Sequence, residues 1–595
     1  MSVLVGIYPI SIAKPVDPAR VRAMANAQTQ HGGNDAGVWT APGIGLAHRD
    51  AAAGAAQPLL AADGALALIC DGAILNGAAL RAELTALGHD IGAGDDAALI
   101  LHAWRQWGPQ CLAHLDGAFA FALFDAGQQC LFLARDRLGM KPLHYAVLGD
   151  ESLIFSSELR GLLVHPLFRC EVEARAVDDY LALGYVPDDR CMVSGVHKLA
   201  AGHSLLVRRG KPLAAPVRWW DVDFTAHASG ARGALREGYR DRLGRAVRAA
   251  MGDHAASGAL LSGGVNSSAV VALMAAASSR AVESRTLGFS DAALIQGDPV
   301  AERFLTHHVR RRADPADPAL DAVTALFDEP AADASALLAL RLCQFAGESL
   351  AVALAGGGAG AAMGGLARHH RHVVAERVRA MLPGRIHAQR EDAAADSYAR
   401  RLCVMTPTVR AGLYAPGFRR ALDDYRAEGR YRQIMRDAPA DDALGRAQYA
   451  DLKLLLPGQT LTWLDRAGRA TGVDVRLPLV DHHLVQYAAG LPAAMRLRRG
   501  PGRGLVAQTM AASLPEPVRK GAGASLTFPV DDWFRGALVD QAARLARHSM
   551  LAETGWFDRA AIDGLASAHL GGAANHGKAL WQLLMLDRAL LRLFG

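Results

Sequence analysis

The chain has 595 residues, of which 51% are hydrophobic and 21% are charged, and its formal net charge is +5. This composition is that of a globular chain and excludes a disordered one, and the length is sufficient for two or more domains with full cores. A small positive excess spread over such a length does not indicate a nucleic-acid-binding protein.

Cysteine usage and the absence of long apolar segments predict a cytoplasmic protein. The 7 cysteines include no pair at C-x-x-C spacing, which argues against a zinc site or a disulfide framework. The first residues lack the basic segment and the long apolar core of a secretion signal. No uncharged apolar run reaches the roughly 18 residues of a membrane span.

The first part of the chain, residues 1–225, reads as an α+β domain because many short apolar segments alternate with turn signals and helical segments. The predicted strands are Val3–Tyr8, Ala65–Cys70, Phe119–Phe124, Cys130–Leu133 and Leu153–Phe155, and the predicted helices are Asn76–Leu87 and Asp96–Trp107. Periodicity is lost over Trp219–Gly230, which predicts a linker.

The second part, residues 231–595, alternates helices and short apolar strands, which predicts an α/β domain with a doubly wound parallel sheet. Its predicted elements are helix Leu235–Met251, strand Gly258–Leu261, helix Ser267–Ala277, strand Ser284–Gly288, helix Val300–Arg311 and strand Leu350–Leu354. Nearly everything beyond Leu366 reads as helical, and the basic stretch Arg368–Arg379 predicts a solvated helix face rather than a binding patch.

The most informative stretch is Gly258–Ser268. A buried strand ends at Leu261, a glycine turn follows, and a helix begins with Asn266 or Ser267 near its N-cap. Glycines allow close backbone approach, and a helix N-terminus offers free N–H groups and the positive end of its dipole. The pattern therefore predicts an anion cradle, although a glycine pair alone would also suit an ordinary strand–turn–helix connection.

The loop resembles the Ser-Gly-Gly-x-Asp-Ser-Ser loop of ATP pyrophosphatases, with Asn266 in the place of the aspartate. Further segments resemble the glutamine-hydrolysing asparagine synthetases over essentially the whole chain. Within that family, their sequences are most similar to those of the exosortase-associated amidotransferases of exopolysaccharide clusters. These segments are Gly117–Asp125, Ala134–Tyr145, Phe155–Leu159, Asp179–Pro187, Val196–His203, Asp328–Ser335, Leu464–Ala467, Val475–His482, Arg519–Gly523 and Phe528–Trp533.

The resemblance implies both a fold and an activity. Residues 1–225 would form a type 2 glutamine amidotransferase domain, an Ntn-hydrolase-like α+β sandwich. Residues 231–595 would form the synthetase domain, an adenine-nucleotide α-hydrolase (PP-loop) sheet with a helical C-terminal region. In the family, a cysteine at position 2 releases ammonia from glutamine, and the ammonia attacks an acyl-adenylate made with ATP and magnesium.

The implied glutaminase site departs from the family pattern. Position 2 is Ser2, whose hydroxyl ionises far less readily than a thiol. Asp71, which precedes Gly72, stands where the family has an oxyanion-binding asparagine, and losing one such donor costs on the order of 100- to 1000-fold. The segment His31–Asp35 also departs from the family. The implied glutamine-binding residues that remain are Arg49 and Asp95.

The implied synthetase site lacks its metal ligands. Asn266 and Gly360 stand at the two magnesium-binding aspartates, Gly357 replaces an acid that assists the chemistry, and Ala361 replaces a glutamate. Glycine offers no oxygen ligand, so we expect weak or residual ATP binding with little help from Mg²⁺. The implied ATP contacts are Leu261, Ser262, Gly263, Gly264, Val265, Ser267, Ser268, Leu287, Ala355 and Gly356.

Four polar positions of the synthetase motifs remain. They are Asp333, Asp465, Arg466 and Lys520, of which the lysine matches the residue that stabilises charge during adenylation and amide formation. Without the resemblance, Lys520 would equally be a helix C-cap or a solvent-exposed lysine.

Three functions stay open at this point. The chain could be a ligase with weakened metal binding that uses free ammonia, or a glutamine-independent amide or lactam synthetase similar to the β-lactam and lasso-peptide synthetases. It could also be a non-catalytic binding or regulatory partner of an active relative. The expected partners are a small carboxylate substrate, an active paralogue or a second copy of the chain, with no nucleic acid and no membrane.

Overall fold

A computed structural model describes residues 2–28, 36–50, 57–92, 95–252, 256–381, 387–497, 504–521 and 527–594. The contacts within the chain define two compact units. The N-terminal unit comprises Met1–Glu171, Asp188–Asp221 and Gly468–Asp474. The C-terminal unit comprises Val172–Pro187, Val222–Ala467 and Val475–Gly595.

Two six-stranded antiparallel sheets form the N-terminal unit. In spatial order, the first sheet consists of Val196–Lys198, His144–Val147, Ser152–Ser156, Ser2–Pro9, Ile44–Asp50 and Gly37–Ala41. The second consists of Val217–Arg218, His203–Arg208, Cys130–Arg135, Gly117–Asp125, Leu66–Ile74 and Leu59–Leu60. The helical segments are Pro18–Asn26, Gly77–Ala86, Asp96–Trp107, Gly108–His114 and Leu159–Leu163.

Apolar side chains on both faces of the strands explain this layering. In the strand Leu66–Ile74, Leu66 and Leu68 pack with Leu80 and Leu84 of a covering helix. The intervening Ala67 faces the core between the two sheets, since successive side chains of a strand point to opposite faces. The predicted α+β sandwich is therefore confirmed, and helix Asp96–Trp107 has the predicted bounds.

The C-terminal unit is built on a five-stranded sheet. Its spatial order is His307–Arg312, Glu283–Gly288, Ser257–Leu260, Val352–Leu354 and Asp474–Arg476, and the neighbouring pairs among the first four strands are parallel. Counted along the chain, this is the order 3-2-1-4-5, in which the topology reverses between the first and fourth strands. The predicted doubly wound sheet is confirmed, and such a switch point is where open α/β sheets bind ligands.

The predicted helix Val300–Arg311 is correct over its first residues and wrong beyond Phe304. The structure has a helix at Asp298–Phe304 and then the edge strand His307–Arg312. Leu305 ends the helix in a left-handed conformation, with φ +50°. The strand carries almost no apolar side chains and is specified by its parallel pairing with Glu283–Gly288 rather than by a hydrophobic pattern.

Helices cover this sheet and form the region beyond it. They include Ala174–Leu183, Arg232–Met251, Val265–Ala277, Asp291–Leu294, Ile295–Gly297, Leu320–Leu326, Ser335–Gly347, Ala359–Ala362, Ala367–Ala380, His387–Leu402, Pro407–Leu413, Pro416–Leu422, Ala427–Asp437, Ala443–Ala450, Asp451–Leu461, Thr462–Thr471, Pro478–Val480, His482–Gly490, Ala493–Arg496, Leu505–Thr509, Glu516–Arg519, Val530–Trp533, Val539–Arg544, Met550–Glu553, Arg559–Leu570 and Gly577–Phe594. Within the ranges that the structure describes, no helix combines the length and the apolar character needed to cross a membrane.

The basic helix Ala367–Ala380 is not the purely solvated helix that its sequence predicts. Arg368 Nη2 and His369 Nε2 donate to the fully buried carboxylate of Asp451, at 2.7 and 2.8 Å, and Tyr398 donates at 2.8 Å. Burial alone would raise the pKa of Asp451, but the adjacent Arg368 and His369 hold this pKa below its ordinary value. One side of the helix is therefore a buried polar interface.

Candidate functional site

The glycine loop lies at the switch point of the parallel sheet, between strand Ser257–Leu260 and helix Val265–Ala277. The N-cap is Gly264 and the helix starts at Val265, two residues before the predicted start at Ser267, so Asn266 and Ser267 lie in its first turn. The helix begins earlier because Ser267 Oγ donates back to Gly264 O at 3.1 Å and accepts from Ser262 N at 3.2 Å. A serine hydroxyl that bonds locally in this way holds the turn closed.

Close contacts and buried neighbours fix the shape of this loop. Gly263 has φ +72°, and a Cβ at this position would lie 2.4 Å from Gln296 O, so only glycine fits. Leu261 N donates to Arg285 O at 2.8 Å, and the buried Leu287 lies in the adjacent strand. The predicted positions from Leu261 to Ser268 thus belong to one strand–turn–helix unit, beside the strand that carries Leu287.

The second glycine-rich segment, Ala355–Gly358, follows strand Val352–Leu354 and packs directly against the loop. A Cβ on Gly356 would lie 2.7 Å from Ser267 N and 2.8 Å from Asn266 Cβ. The two segments come from the first and fourth strands of the sheet, which flank the switch point. The structure therefore brings Asn266 and Gly356 together, as the resemblance implies for one nucleotide site.

The positions that would carry acids have apolar neighbours. A Cβ on Gly357 would meet Leu464 Cδ1 at 3.1 Å and Leu477 Cδ2 at 3.4 Å. A Cβ on Gly360 would meet Leu366 Cδ2 at 2.7 Å. Among the described residues, the Asn266 side chain has no hydrogen-bond partner. An amide, two glycines and leucine neighbours do not fit a Mg²⁺ ion held by carboxylates, because this ion prefers charged oxygen ligands.

The remaining polar positions of the synthetase motifs take structural contacts. Asp333 Oδ1 accepts from Ser335 N at 2.8 Å at the start of a helix. Buried Arg466, which follows Asp465, pairs with Asp328 at 3.2 Å. Lys520 is 73% exposed and pairs with Glu516 at 2.7 Å, four residues earlier.

Lys520 thus matches the alternative of a solvent lysine beside a helix C-terminus. The motif Arg519–Gly523 extends beyond the described residues. The implied catalytic role of this lysine therefore remains a prediction.

A buried cluster of three polar residues occupies the implied glutaminase centre. Ser2 Oγ lies 3.2 Å from Asp71 Oδ1 and can donate to it. Arg469 Nη1 donates to Ser2 O at 2.5 Å, and Nη2 donates to Asp71 Oδ2. The Asp71 side chain is only 1% exposed and that of Arg469 is 9% exposed, so this ion pair is largely shielded from water.

Arg469 is the site residue that the sequence reasoning missed. It lies near the end of helix Thr462–Thr471 but belongs to the N-terminal unit, together with Ser2 and Asp71. Asp71 is 398 positions away in the chain. A single arginine on a helix carries no signal of such a partner, so only the three-dimensional contact identifies it.

The remaining glutaminase positions are explained mostly by backbone structure. Gly72 has φ +123°, and a Cβ there would lie 1.9 Å from Ala118 O in the paired strand. Arg49 lies opposite Val3 in the strand pair. Asp95 is exposed and caps helix Asp96–Trp107 by accepting from Ala98 N at 3.2 Å. The segment His31–Asp35 lies outside the described residues.

The two units together define the class of the protein. A double antiparallel sheet begins with a strand at residue 2, and a parallel sheet carries a phosphate-type loop at its switch point. This is the architecture of a glutamine amidotransferase joined to a nucleotide-dependent synthetase. Residues 238–591 match the asparagine synthase family, and residues 1–220 match the glutamine amidotransferase domain. The chain therefore belongs to the asparagine synthase family.

Similar proteins span most of the chain. A Mycobacterium bovis protein, whose own assignment as a glutamine-hydrolysing asparagine synthetase is provisional, is 26% identical over 548 residues, which cover 87% of this chain and 83% of the relative. Glutamine-hydrolysing asparagine synthetase 1 of Bacillus subtilis is 22% identical over 551 residues, which cover 89% and 86%.

Proposed function

We propose that this chain is a nucleotide-binding member of the asparagine synthase family that neither hydrolyses glutamine nor forms an acyl-adenylate, and that it acts as a binding or regulatory partner of an active relative. The observation that carries the proposal is the contrast at the switch point. The loop Ser262–Ser268 keeps its hydroxyl–backbone geometry, whereas Gly357 and Gly360 face leucine side chains.

The N-terminal cluster supports the loss of glutaminase activity. Attack by Ser2 Oγ on an amide would place an oxyanion beside Asp71, and a carboxylate repels an oxyanion instead of donating to it. Arg469 neutralises Asp71, and its guanidinium donates to Asp71 and to Ser2 O instead of to a bound substrate. The Ser2 hydroxyl is also a much weaker nucleophile than a thiolate without an activating base.

The C-terminal site supports binding without chemistry. Free N–H groups of the first helical turn, with the hydroxyls of Ser262 and Ser267, suit the phosphates of ATP or AMP. Cleavage of ATP between its α and β phosphates builds charge on the leaving pyrophosphate, which a held divalent cation normally neutralises. Asn266 and Gly360 contribute no charge for this purpose.

A second candidate is an amide or lactam synthetase that uses a free amine in place of glutamine. The ordered phosphate loop favours it, because a loop of this kind would serve substrate adenylation. It would explain Ser2, but it would still require ATP with magnesium, for which the residues at positions 266 and 360 are unsuited.

Three measurements on the purified full chain test the proposal. Glutamate release from glutamine should stay at background, and a turnover near about 1 per second would refute the loss of glutaminase activity. Calorimetry should show weak ATP and AMP binding that Mg²⁺ changes little. Pyrophosphate release with small carboxylates should be absent, and release that needs a free amine would establish the synthetase instead.

A further inference from the structure

The helix Ala367–Ala380 and the residue that follows it present a stripe of apolar side chains to solvent. Val374 is 43% exposed, Val378 is 55% exposed and Met381 is 82% exposed. A surface helix ordinarily turns such side chains towards the core and its charged ones towards water. Apolar residues exposed singly need no explanation, but a contiguous apolar stripe indicates an interaction surface.

The opposite side of this helix departs from the usual distribution as well. His369 and His372 are buried there, and His369 Nε2 donates to the buried carboxylate of Asp451 at 2.8 Å. The neighbouring helices are His387–Leu402 and Ala443–Ala450. The helix is therefore fixed in the fold by its inner side, and the exposed valines and methionine are not part of that packing.

The exposed side chains follow the spacing of a seam between two helices. Ala367, Arg371, Val374, Val378 and Met381 are all exposed, and successive members lie 4, 3, 4 and 3 residues apart. These are the a and d positions of a heptad pattern, which form one narrow row that a second helix can cover. A helix that lies in a membrane surface has a wide apolar face with leucine or aromatic residues, and this row has neither.

Unpaired positive charges accompany this row. Arg371 lies within it and Arg377 lies beside Val378, and both arginines are exposed. Neither forms an ion pair with any residue that the structure describes, whereas Arg368 on the inner side pairs with Asp451 at 2.7 Å. Charges beside a helix seam select the partner by complementarity, so these arginines favour a partner rich in carboxylates. A second copy of the chain would set arginine against arginine.

We propose that this exposed row is a docking surface for an acidic amphipathic helix of a partner protein. The apolar side of that helix packs on Val374, Val378 and Met381, and its carboxylates pair with Arg371 and Arg377. The docking surface lies outside the phosphate loop and the Ser2 cluster. It serves a catalytically active chain as well as an inactive one, so this proposal and the proposed function can fail independently.

A titration of the full chain by fluorescence anisotropy tests the docking surface with a synthetic peptide of about 21 residues, or three heptads. The peptide has leucine at its a and d positions and glutamate at its e and g positions. We expect it to bind with a dissociation constant below about 200 μM. A matched peptide with lysine in place of every glutamate would face Arg371 and Arg377 with like charges, so it should bind at least about tenfold more weakly.

Two variants of the exposed row should change binding in different ways. Val378→Asp places a charge in the middle of the seam and should weaken binding of the acidic peptide by about tenfold or more. Arg371→Glu should weaken binding of the acidic peptide by about fivefold or more and strengthen binding of the lysine peptide by a similar factor. Such an exchange of preference cannot result from unfolding, which would weaken the binding of both peptides.

Matched controls replace exposed residues of the same types elsewhere in the C-terminal unit. Val409→Asp lies in helix Pro407–Leu413 and Arg420→Glu in helix Pro416–Leu422, and both variants should bind the two peptides as the unmodified chain does. Melting temperatures show which variants remain folded. If Arg371→Glu does not fold, the comparison of Val378→Asp with Val409→Asp decides.

The proposal is wrong if the acidic peptide binds with a dissociation constant above about 200 μM, or if the lysine peptide binds as tightly. Unchanged binding of the acidic peptide to folded Val378→Asp would also contradict it. A dimer of the unmodified chain that Val378→Asp dissociates in analytical ultracentrifugation would assign the row to a second copy instead. Binding to vesicles with about 30% phosphatidylserine in phosphatidylcholine, if lost in Val378→Asp, would assign it to a membrane surface and overturn the proposal.

Discussion

Replacement of Arg469 by methionine removes the cation beside the buried carboxylate of Asp71. In the folded N-terminal unit, this carboxylate would keep the Ser2 hydroxyl as a partner but lose its ion pair. Because Asp71 is only 1% exposed, water cannot replace the guanidinium. Removal of one partner of a buried ion pair costs about 3–5 kcal/mol, a large part of a typical domain stability of about 5–15 kcal/mol.

Further variants separate the contribution of the two charges to stability from that of the hydrogen bonds. Asp71→Asn leaves an amide oxygen that still accepts from Arg469, so its cost should be lower, about 1–3 kcal/mol. The double change Asp71→Asn/Arg469→Met removes both charges and should cost less than the two single changes added together. Arg22→Met, at an exposed position of helix Pro18–Asn26, is the control and should stay within about 0.5 kcal/mol.

Hydrogen exchange in strand Leu66–Ile74 is the suitable assay, because it reports the opening of the unit that contains Asp71. Chemical unfolding of the full chain supplements it, although two units need not unfold in one transition. The reasoning is refuted if Arg469→Met changes the free energy of opening by less than about 1 kcal/mol, or if the double-mutant cycle is additive.

Further predictions concern a backbone contact, a buried histidine and the metal positions. Gly72→Ala should lower the free energy of unfolding by more than about 3 kcal/mol, because the added Cβ would lie 1.9 Å from a backbone oxygen. In Gly564→Ala the added Cβ meets nothing within 4 Å, so this control should be neutral or stabilising by up to about 1 kcal/mol. Chemical unfolding compares the two variants. Burial lowers the pKa of His372 from 6.5 to about 4, so the native state binds fewer protons than the unfolded chain between these values. The free energy of unfolding should therefore fall by about 3 kcal/mol as the pH drops from about 6.5 to about 4. His372→Leu should flatten this part of the pH profile. An equal slope in the variant would show that His372 does not cause the pH dependence. Asn266→Asp and Gly360→Asp together should raise the Mg²⁺-dependent affinity for ATP by a factor larger than the product of the factors for the two single variants, as measured by calorimetry. No gain in the double variant would show that position 360 does not correspond to the family aspartate.

Local patterns predict much of this fold. Strands with apolar residues on both faces, such as Gly117–Asp125, are recognisable because a buried strand leaves a continuous apolar run. Helix Asp96–Trp107 is recognisable because its N-cap Asp95, apolar spacing and following glycine all agree. The edge strand His307–Arg312 fails the same test, since its side chains are mostly basic and its backbone pairing is what specifies it.

The site was predictable only in part, for a related reason. Motif spacing identifies the loop Ser262–Ser268 and its neighbour Gly356, because backbone geometry links their positions in the sheet. Spacing does not reveal that Asp71 is neutralised by Arg469, because this contact depends on how distant segments pack. It also does not show that the space beside Gly357 is apolar, which follows from Leu464 and Leu477.

Glycines and polar side chains of the family motifs carry different information about activity. Gly72, Gly263 and Gly356 are each required by a backbone contact of their own, at 1.9, 2.4 and 2.7 Å from the Cβ that any other residue would add. They are therefore needed for the fold whether or not any reaction occurs, and their presence makes the chain resemble its relatives. Only the side chains that would touch a reacting atom report on chemistry, and at positions 2 and 71 these are a hydroxyl and a carboxylate already bonded to one another. A family match based on the backbone and an absence of family chemistry are thus compatible in one molecule.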